Sequence, residues 1–152
     1  MDRLQVVKIG GNLIEDQKVL DSFLKDFAAL KEYKILVHGG GKEATALGKK
    51  MGISEKIHEG RRITDVSSLE LITMVYAGKL NKKFVSLLQA ESCDALGICG
   101  ADGNAYTANK RPVKEIDFGF VGDIYKINTS FFKKLIDQNI TLVCCAVSHD
   151  GN

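Results

Sequence analysis

A chain of 152 residues with 45% apolar and 26% charged residues and a single proline has the composition of one soluble globular domain, which excludes disorder as its main character. At ~150 residues a chain buries ~70% of the surface it exposes when unfolded, so neither disulfides nor a metal is needed for stability. Lysine plus arginine number 21 against 19 acidic residues, and the net charge of +2 is spread in runs no longer than pairs such as Lys82-Lys83, so nothing favours nucleic acid or a membrane surface as partner.

In chain order, Leu4 to Ile9 is a β-rich run closed by Gly10-Gly11. The spacing of Val19, Leu20, Phe23, Leu24, Phe27 and Ala28 then predicts a helix with one buried face, with Asp16 as its N-cap. Ile35 to Val37 is a second short strand, closed by His38-Gly39-Gly40-Gly41 and followed by a helix from Lys42 to Met51 that stops at Gly52. Arg61-Arg62 falls in the segment 56–64, which projects as a strand pair or flap. After Thr64-Asp65 a long helical pattern runs through Leu69, Ile72, Val75, Tyr76, Leu80, Phe84 and Leu88, with Gly78 as a weak point. It reads as a subunit interface or as two helices meeting at a bend. Ala95 to Cys99 and Ile140 to Val147 have the continuous apolar character of strands buried on both faces of a parallel sheet. Phe118 to Ile127 reads as an antiparallel hairpin turning at Gly122-Asp123, and Ser130 to Gln138 as a short helix. The alternation predicts an α/β domain, a three-layer αβα sandwich with a mainly parallel sheet.

The apolar run from Ile140 to Val147 is far below the ~20 residues of a membrane helix, and the start at Met1-Asp2-Arg3-Leu4 lacks a signal-peptide core, so a cytoplasmic protein is expected. Cys93, Cys99, Cys144 and Cys145 form no CxxC pattern and read as small buried apolar residues. His58 and His149 lack a second ligand at metal-like spacing and read as surface residues, so no metal site is expected. Asp102, Asp123 and Asp150 each adjoin glycine and read as turn residues.

Two glycine clusters thus follow two strands and precede two helices, the sheet edge where α/β proteins bind ligands and where backbone N–H groups attract anions. Lys8 adds a cation just before the first cluster; on a strand it faces away from Val7 and Ile9, and buried there it would require an anionic partner. A phosphate or carboxylate held between the loops is the expectation. No GxGxxG or Walker A pattern occurs. An HGGG oxyanion hole would need a GxSxG serine, which is absent, and the contiguous Ser148-His149-Asp150 cannot align as a triad and reads as a polar turn. Alternation lets at most one of Arg61 and Arg62 reach a given ligand, and its forked donors match a carboxylate.

The segments Val7-Lys8-Ile9-Gly10-Gly11-Asn12, Val37-His38-Gly39-Gly40-Gly41-Lys42, Glu59-Gly60-Arg61-Arg62-Ile63-Thr64-Asp65, Val75-Tyr76-Ala77-Gly78-Lys79-Leu80-Asn81-Lys82 and Phe120-Val121-Gly122-Asp123 together resemble the first half of an acetylglutamate kinase. The resemblance implies the amino-acid kinase fold and MgATP-dependent phosphorylation of the side-chain carboxylate of N-acetyl-L-glutamate, or of another N-acyl-glutamate, in arginine synthesis. It implies Lys8 as the transition-state stabiliser, Gly10 and Gly11 as phosphate-binding, and Gly40, Gly41 and Arg62 as substrate-binding. Arg61 stands where an aliphatic residue is expected, and an extra cation there suits a more acidic acyl group such as succinyl. The family's asparagine-rich NxNAD stretch would follow Asn152. Residues 1–152 are therefore expected to be the acyl-amino-acid-binding and dimerising lobe, inactive alone, with an apolar face near Asn152 awaiting a nucleotide-binding lobe. A first strand so near Met1 resembles the homodimeric members without arginine feedback, the dimer forming on the helix from Asp65 to Glu91. The alternatives are another amino-acid kinase, acting on glutamate or aspartate, and a non-catalytic ligand-binding or dimerisation module.

Overall fold

The structure is a computed structural model and describes residues 3–151. Met1-Asp2 and Asn152, including the apolar face expected there, lie outside the described residues. The elements in order are β1 (Leu4–Ile9), α1 (Gly11–Glu15), α2 (Gln17–Ala29), β2 (Tyr33–His38), α3 (Gly41–Met51), β3 (Lys56–His58), β4 (Arg61–Ile63), α4 (Val66–Thr73), a π-helical segment (Met74–Leu80), α5 (Asn81–Ala90), β5 (Ala95–Ile98), a 3-10 turn (Asp102–Asn104), β6 (Tyr106–Lys110), β7 (Gly122–Ile127), α6 (Thr129–Ile136) and β8 (Thr141–Cys145).

Four parallel strands form the central sheet in the order β1-β2-β8-β5. Successive side chains alternate between its faces, so Leu36 and Val143 join one core while Ile35, Leu142 and Cys144 join the other. The first core packs against α2, α3, α4 and α5 through Leu24, Ala44, Leu71 and Phe84; the second packs beneath α6 through Phe131 and Phe132. This is the expected αβα sandwich. Local signals held where the chemistry is local. Asp16 caps α2 by accepting the N–H groups of Lys18 and Val19 at 3.0 and 3.1 Å, and α3 stops where Gly52 takes the left-handed conformation, φ 72°. Asp65 likewise caps α4, accepting from Ser68 N–H at 2.9 Å, and that bond, first among its causes, holds its carboxyl below the usual range. The helical run beyond Asp65 bends neither into two helices nor stays regular: its middle turn widens to π geometry around Gly78.

The expected hairpin turn at Gly122-Asp123 is wrong. β7 starts there and pairs antiparallel with β6, Tyr106 opposite Ile127 and Lys110 opposite Gly122. Gly122 is small for cross-strand packing, since a Cβ would meet that of Ala108 at 2.8 Å; the left-handed glycine is Gly119, φ 72°, where a Cβ would lie 2.2 Å from Thr64 O. Nor is Ser148-His149-Asp150 a turn. It is an extended strap, with His149 O accepting from Ala108 N–H at 2.9 Å. His58 and His149 are half-buried rather than surface residues. Cys93, Cys144 and Cys145 are buried as expected, and burial pushes the Cys144 thiol up to about 12 and that of Cys145 to about 11.

Candidate functional site

Both glycine loops lie at the carboxyl ends of adjacent strands, with Ile9 opposite His38 in the β1-β2 register. Lys8 sits on the outer face of β1 beside Leu4 and Val6 and is exposed, so the burial penalty expected for it does not arise. Its ammonium overlies the first loop: a Cβ on Gly10 would stand 3.9 Å from Lys8 Nζ. Gly11 opens α1 against the stem of Lys42, 3.6 Å from where its Cβ would be. Lys42 Nζ in turn donates to Asn12 Oδ1 at 2.8 Å and Glu15 Oε2 at 2.7 Å, tying the second loop's helix to the first loop.

Gly40 is closely packed by side chains. A Cβ there would meet Leu80 Cδ1 at 2.4 Å and the Tyr76 ring at 3.0 Å. The carbonyl of Gly41 accepts from Arg62 Nη2 at 3.2 Å, and Thr45 Oγ1 lies 2.9 Å from the same carbonyl and accepts from Arg62 Nη2 at 2.9 Å. Glu55 completes the cluster through an ion pair with Arg62 and a 2.9 Å contact to Thr45 Oγ1. Tyr76 closes one side: burial, aided by the Glu55 charge, raises its hydroxyl pKa against the opposing influence of Arg62 and the Gly40 backbone. The side-chain bonds of Arg62 bring it to Gly41 and its neighbour Gly40, and the β1-β2 pairing sets Lys8, Gly10 and Gly11 in a neighbouring group.

Arg61, Arg62, Thr64, Tyr76, Arg111 and Ser148 line an open cleft of about 370 Å³ beside the second loop. Both arginines of the β3-β4 ribbon border it, although strand alternation alone would admit one. Arg111 forms an ion pair with Asp123 at 2.5 Å; that hydrogen bond is the main reason the Asp123 carboxyl is held low, with Arg61 adding to it. His38 belongs to the core: it is 1% exposed, stacks edge-on with Phe84 at 4.7 Å, and burial lowers its pKa.

Sequence reasoning passed over Thr45, Glu55, Tyr76 and Arg111. Tyr76 hides in the apolar stripe of its helix, and the others acquire meaning only when the ribbon folds onto α3. Chemically, an exposed ammonium over a glycine loop suits a solvated phosphate, whereas a half-buried guanidinium beside backbone carbonyls and a shielding tyrosine suits a small carboxylate. Among the described residues no helix is long and apolar enough to cross a membrane.

Residues 3–152 match the model of the amino acid kinase family. The chain is 50% identical over 153 residues to the acetylglutamate kinase of Cytophaga hutchinsonii, covering 100% of this chain and 58% of that one. It is 47% identical over 150 residues to that of Phocaeicola vulgatus, covering 99% and 58%. The chain therefore spans 58% of the length of these curated relatives. Among solved structures, the N-acetylglutamate synthase of Neisseria gonorrhoeae complexed with coenzyme A and N-acetyl-glutamate aligns with TM-score 0.79 at 23% identity, covering 97% of this chain and 34% of that one. An isopentenyl phosphate kinase product complex from T. acidophilum aligns with TM-score 0.59 at 13% identity, covering 99% and 58%. Likeness at those identities carries the fold alone.

Proposed function

This chain belongs to the amino acid kinase family, and on that premise we propose that it is the acyl-amino-acid-binding and dimerising lobe of an acetylglutamate kinase. The single observation that carries the reading is Arg62, which lines the cleft while bonded to Gly41 O and Thr45 Oγ1, with the lysine-bearing first glycine loop on the adjacent strand. In the reaction the side-chain carboxylate of N-acetyl-L-glutamate attacks the γ-phosphorus of MgATP, the bond from that phosphorus to the β–γ bridging oxygen breaks, and ADP leaves as the carboxylate becomes an acyl phosphate. Two anions must approach, so catalysis is mainly positioning and charge stabilisation. Arg62 holds the α-carboxylate, Gly40 and Gly41 border the acylated amino acid, Gly10 and Gly11 offer donors to the phosphate, and Lys8 neutralises charge as the phosphoryl group moves.

The exposed Lys8 beside Gly10 fits the phosphate end of ATP. Mg2+ enters this reading with the nucleotide phosphates. The rest of the nucleotide site belongs to a second lobe, and the chain by itself is inactive. Val66 and Met74, 59% and 50% exposed, support the helix from residue 65 to 91 as the homodimer face. Because Arg61 also borders the cleft, an acyl group with its own carboxylate, such as succinyl, is accommodated as well as acetyl. A binding module without catalysis is the second reading, since the Arg62 cluster is built wholly from residues of this chain.

Hydroxylamine trapping of the acyl phosphate tests the proposal. With ATP and N-acetyl-L-glutamate this chain should yield no hydroxamate, and a protein extended to its relatives' length should yield it. Substantial hydroxamate from the chain alone would overturn the division of the site, and none from the extended protein would favour the binding module. Clear preference of the extended protein for the acetyl over the succinyl substrate would remove the Arg61 reading.

A further inference from the structure

A buried polar network joins the π-helical segment to the second glycine loop. Asn81 is 1% exposed; its Nδ2 donates to His38 Nε2 at 3.1 Å and to Val143 O at 2.9 Å, while its Oδ1 accepts from Lys82 Nζ at 3.2 Å. Both amide protons are thus used, and His38 Nε2 must be the unprotonated nitrogen. The proton therefore sits on Nδ1, which lies 2.8 Å from Gly39 O, a group that only accepts. The partners of the ring dictate one neutral tautomer, and that tautomer fixes the direction of the Gly39–Gly40 peptide.

Widening the helix makes this possible. Residues five apart lie about 140° apart around an α-helix, too far to face one loop. The N–H of Asn81 instead bonds to the carbonyl of Tyr76, an i→i+5 turn that brings Tyr76, Leu80 and Asn81 round to the same loop. There Tyr76 and Leu80 fill the space over Gly40 while Asn81 reaches His38 behind it.

We propose that Asn81 is a positioning residue for the ligand loop: by holding His38 as its Nδ1–H tautomer it anchors the Gly39 carbonyl and so sets the orientation in which Gly40 and Gly41 present their backbone to the bound acyl-amino acid. The inference rests on the functional reading above for the identity of the ligand, but the latch is defined without it.

The test uses the 152-residue chain. Ring 15N resonances of His38 should show Nδ1 protonated and Nε2 not. Asn81→Ala should give a mixture of tautomers and move the amide resonances of Gly40 and Gly41. It should weaken N-acetyl-L-glutamate binding in the folded fraction by about 10-fold, as loss of one or two hydrogen bonds implies. Leu88→Ala, a fully buried change farther along α5, is the control, expected to lower stability with the His38 ring state and affinity unchanged. His38→Asn, whose amide can replace Nδ1–H as donor to Gly39 O, should keep affinity within about 3-fold by the same arithmetic, whereas His38→Leu should not. An unchanged ring state and unmoved glycine amides in Asn81→Ala would overturn the inference, as would unchanged affinity with an altered tautomer. If the unsubstituted chain takes up no N-acetyl-L-glutamate, the functional reading fails, and the ring and glycine resonances still decide the latch.

Discussion

Arg62 and Glu55 form an ion pair whose side chains are only 14% and 20% exposed. This pair, with the bonds to Gly41 O and Thr45 Oγ1, engages a single guanidinium nitrogen, Nη2. None of these bonds runs through Nε or Nη1, so Glu55 aligns the fork and leaves those two donors for a ligand carboxylate. Arg62→Lys keeps the charge and the pairing with Glu55 but loses the fork. It should weaken N-acetyl-L-glutamate binding about 10-fold or more while changing folding stability by no more than about 1 kcal/mol. Titration calorimetry and urea unfolding check the two halves, and an unchanged affinity would remove Arg62 from the substrate site.

Gly40 and Gly39 are neighbours with opposite tolerance. An added methyl at Gly40 collides with Leu80 and Tyr76, whereas at Gly39 it meets nothing within 4 Å. Gly40→Ala should therefore destabilise by about 1–3 kcal/mol, the usual range for overpacking. Gly39→Ala should stay within about 0.5 kcal/mol, as for an unobstructed position. Denaturant midpoints distinguish them; equal losses would show that the loop yields where the packing says it cannot.

Lys8 makes the contrast between stability and chemistry. Because it is exposed, Lys8→Met should shift stability by less than about 0.5 kcal/mol. In the protein extended to its relatives' length, the rate of hydroxamate formation should fall ~100-fold or more, the scale seen when one group stabilising transition-state charge is removed. A rate within a few-fold of the unsubstituted protein would show that Lys8 is an ordinary surface lysine.

Much of this was legible in the sequence because the interactions are short-range. Asp16 and Gly52 announce helix ends through bonds made within four residues, and the strands ending at Ile9 and His38 announce themselves by apolar runs. Gly122 misled because glycine serves turns and close packing alike, and its packing partner, Ala108, is distant in sequence. Gly78 marked a weak point, yet whether a long helix bends or widens there is decided by what must be reached, here Gly40 and His38. Thr45, Glu55 and Tyr76 carry no local signature at all; their role exists only once Arg62 folds onto them. Lys8 was singled out by a burial argument that the exposed face of β1 does not sustain, and its place in the site rests instead on its lie over Gly10.

The pH dependence of folding follows from His38. Burial lowers its pKa in the folded state, so the unfolded chain binds the proton more readily. The stability associated with the neutral ring is complete above the ordinary value near 6.5 and declines as the pH falls below it, by at most about 1.4 kcal/mol per unit. Urea unfolding between pH 7 and 5 should show this decline, and His38→Asn should flatten it. An equal slope in the variant would assign the dependence to other groups.

The central claim, that this lobe binds an N-acylated glutamate through Arg62 and the second glycine loop, is tested most directly by calorimetric titration of the chain with N-acetyl-L-glutamate. Saturable heat corresponding to one site per chain, with affinity weakened about 10-fold or more by Arg62→Lys, is the result expected. Absence of heat from the unsubstituted chain, or the same isotherm from the variant, would contradict the account.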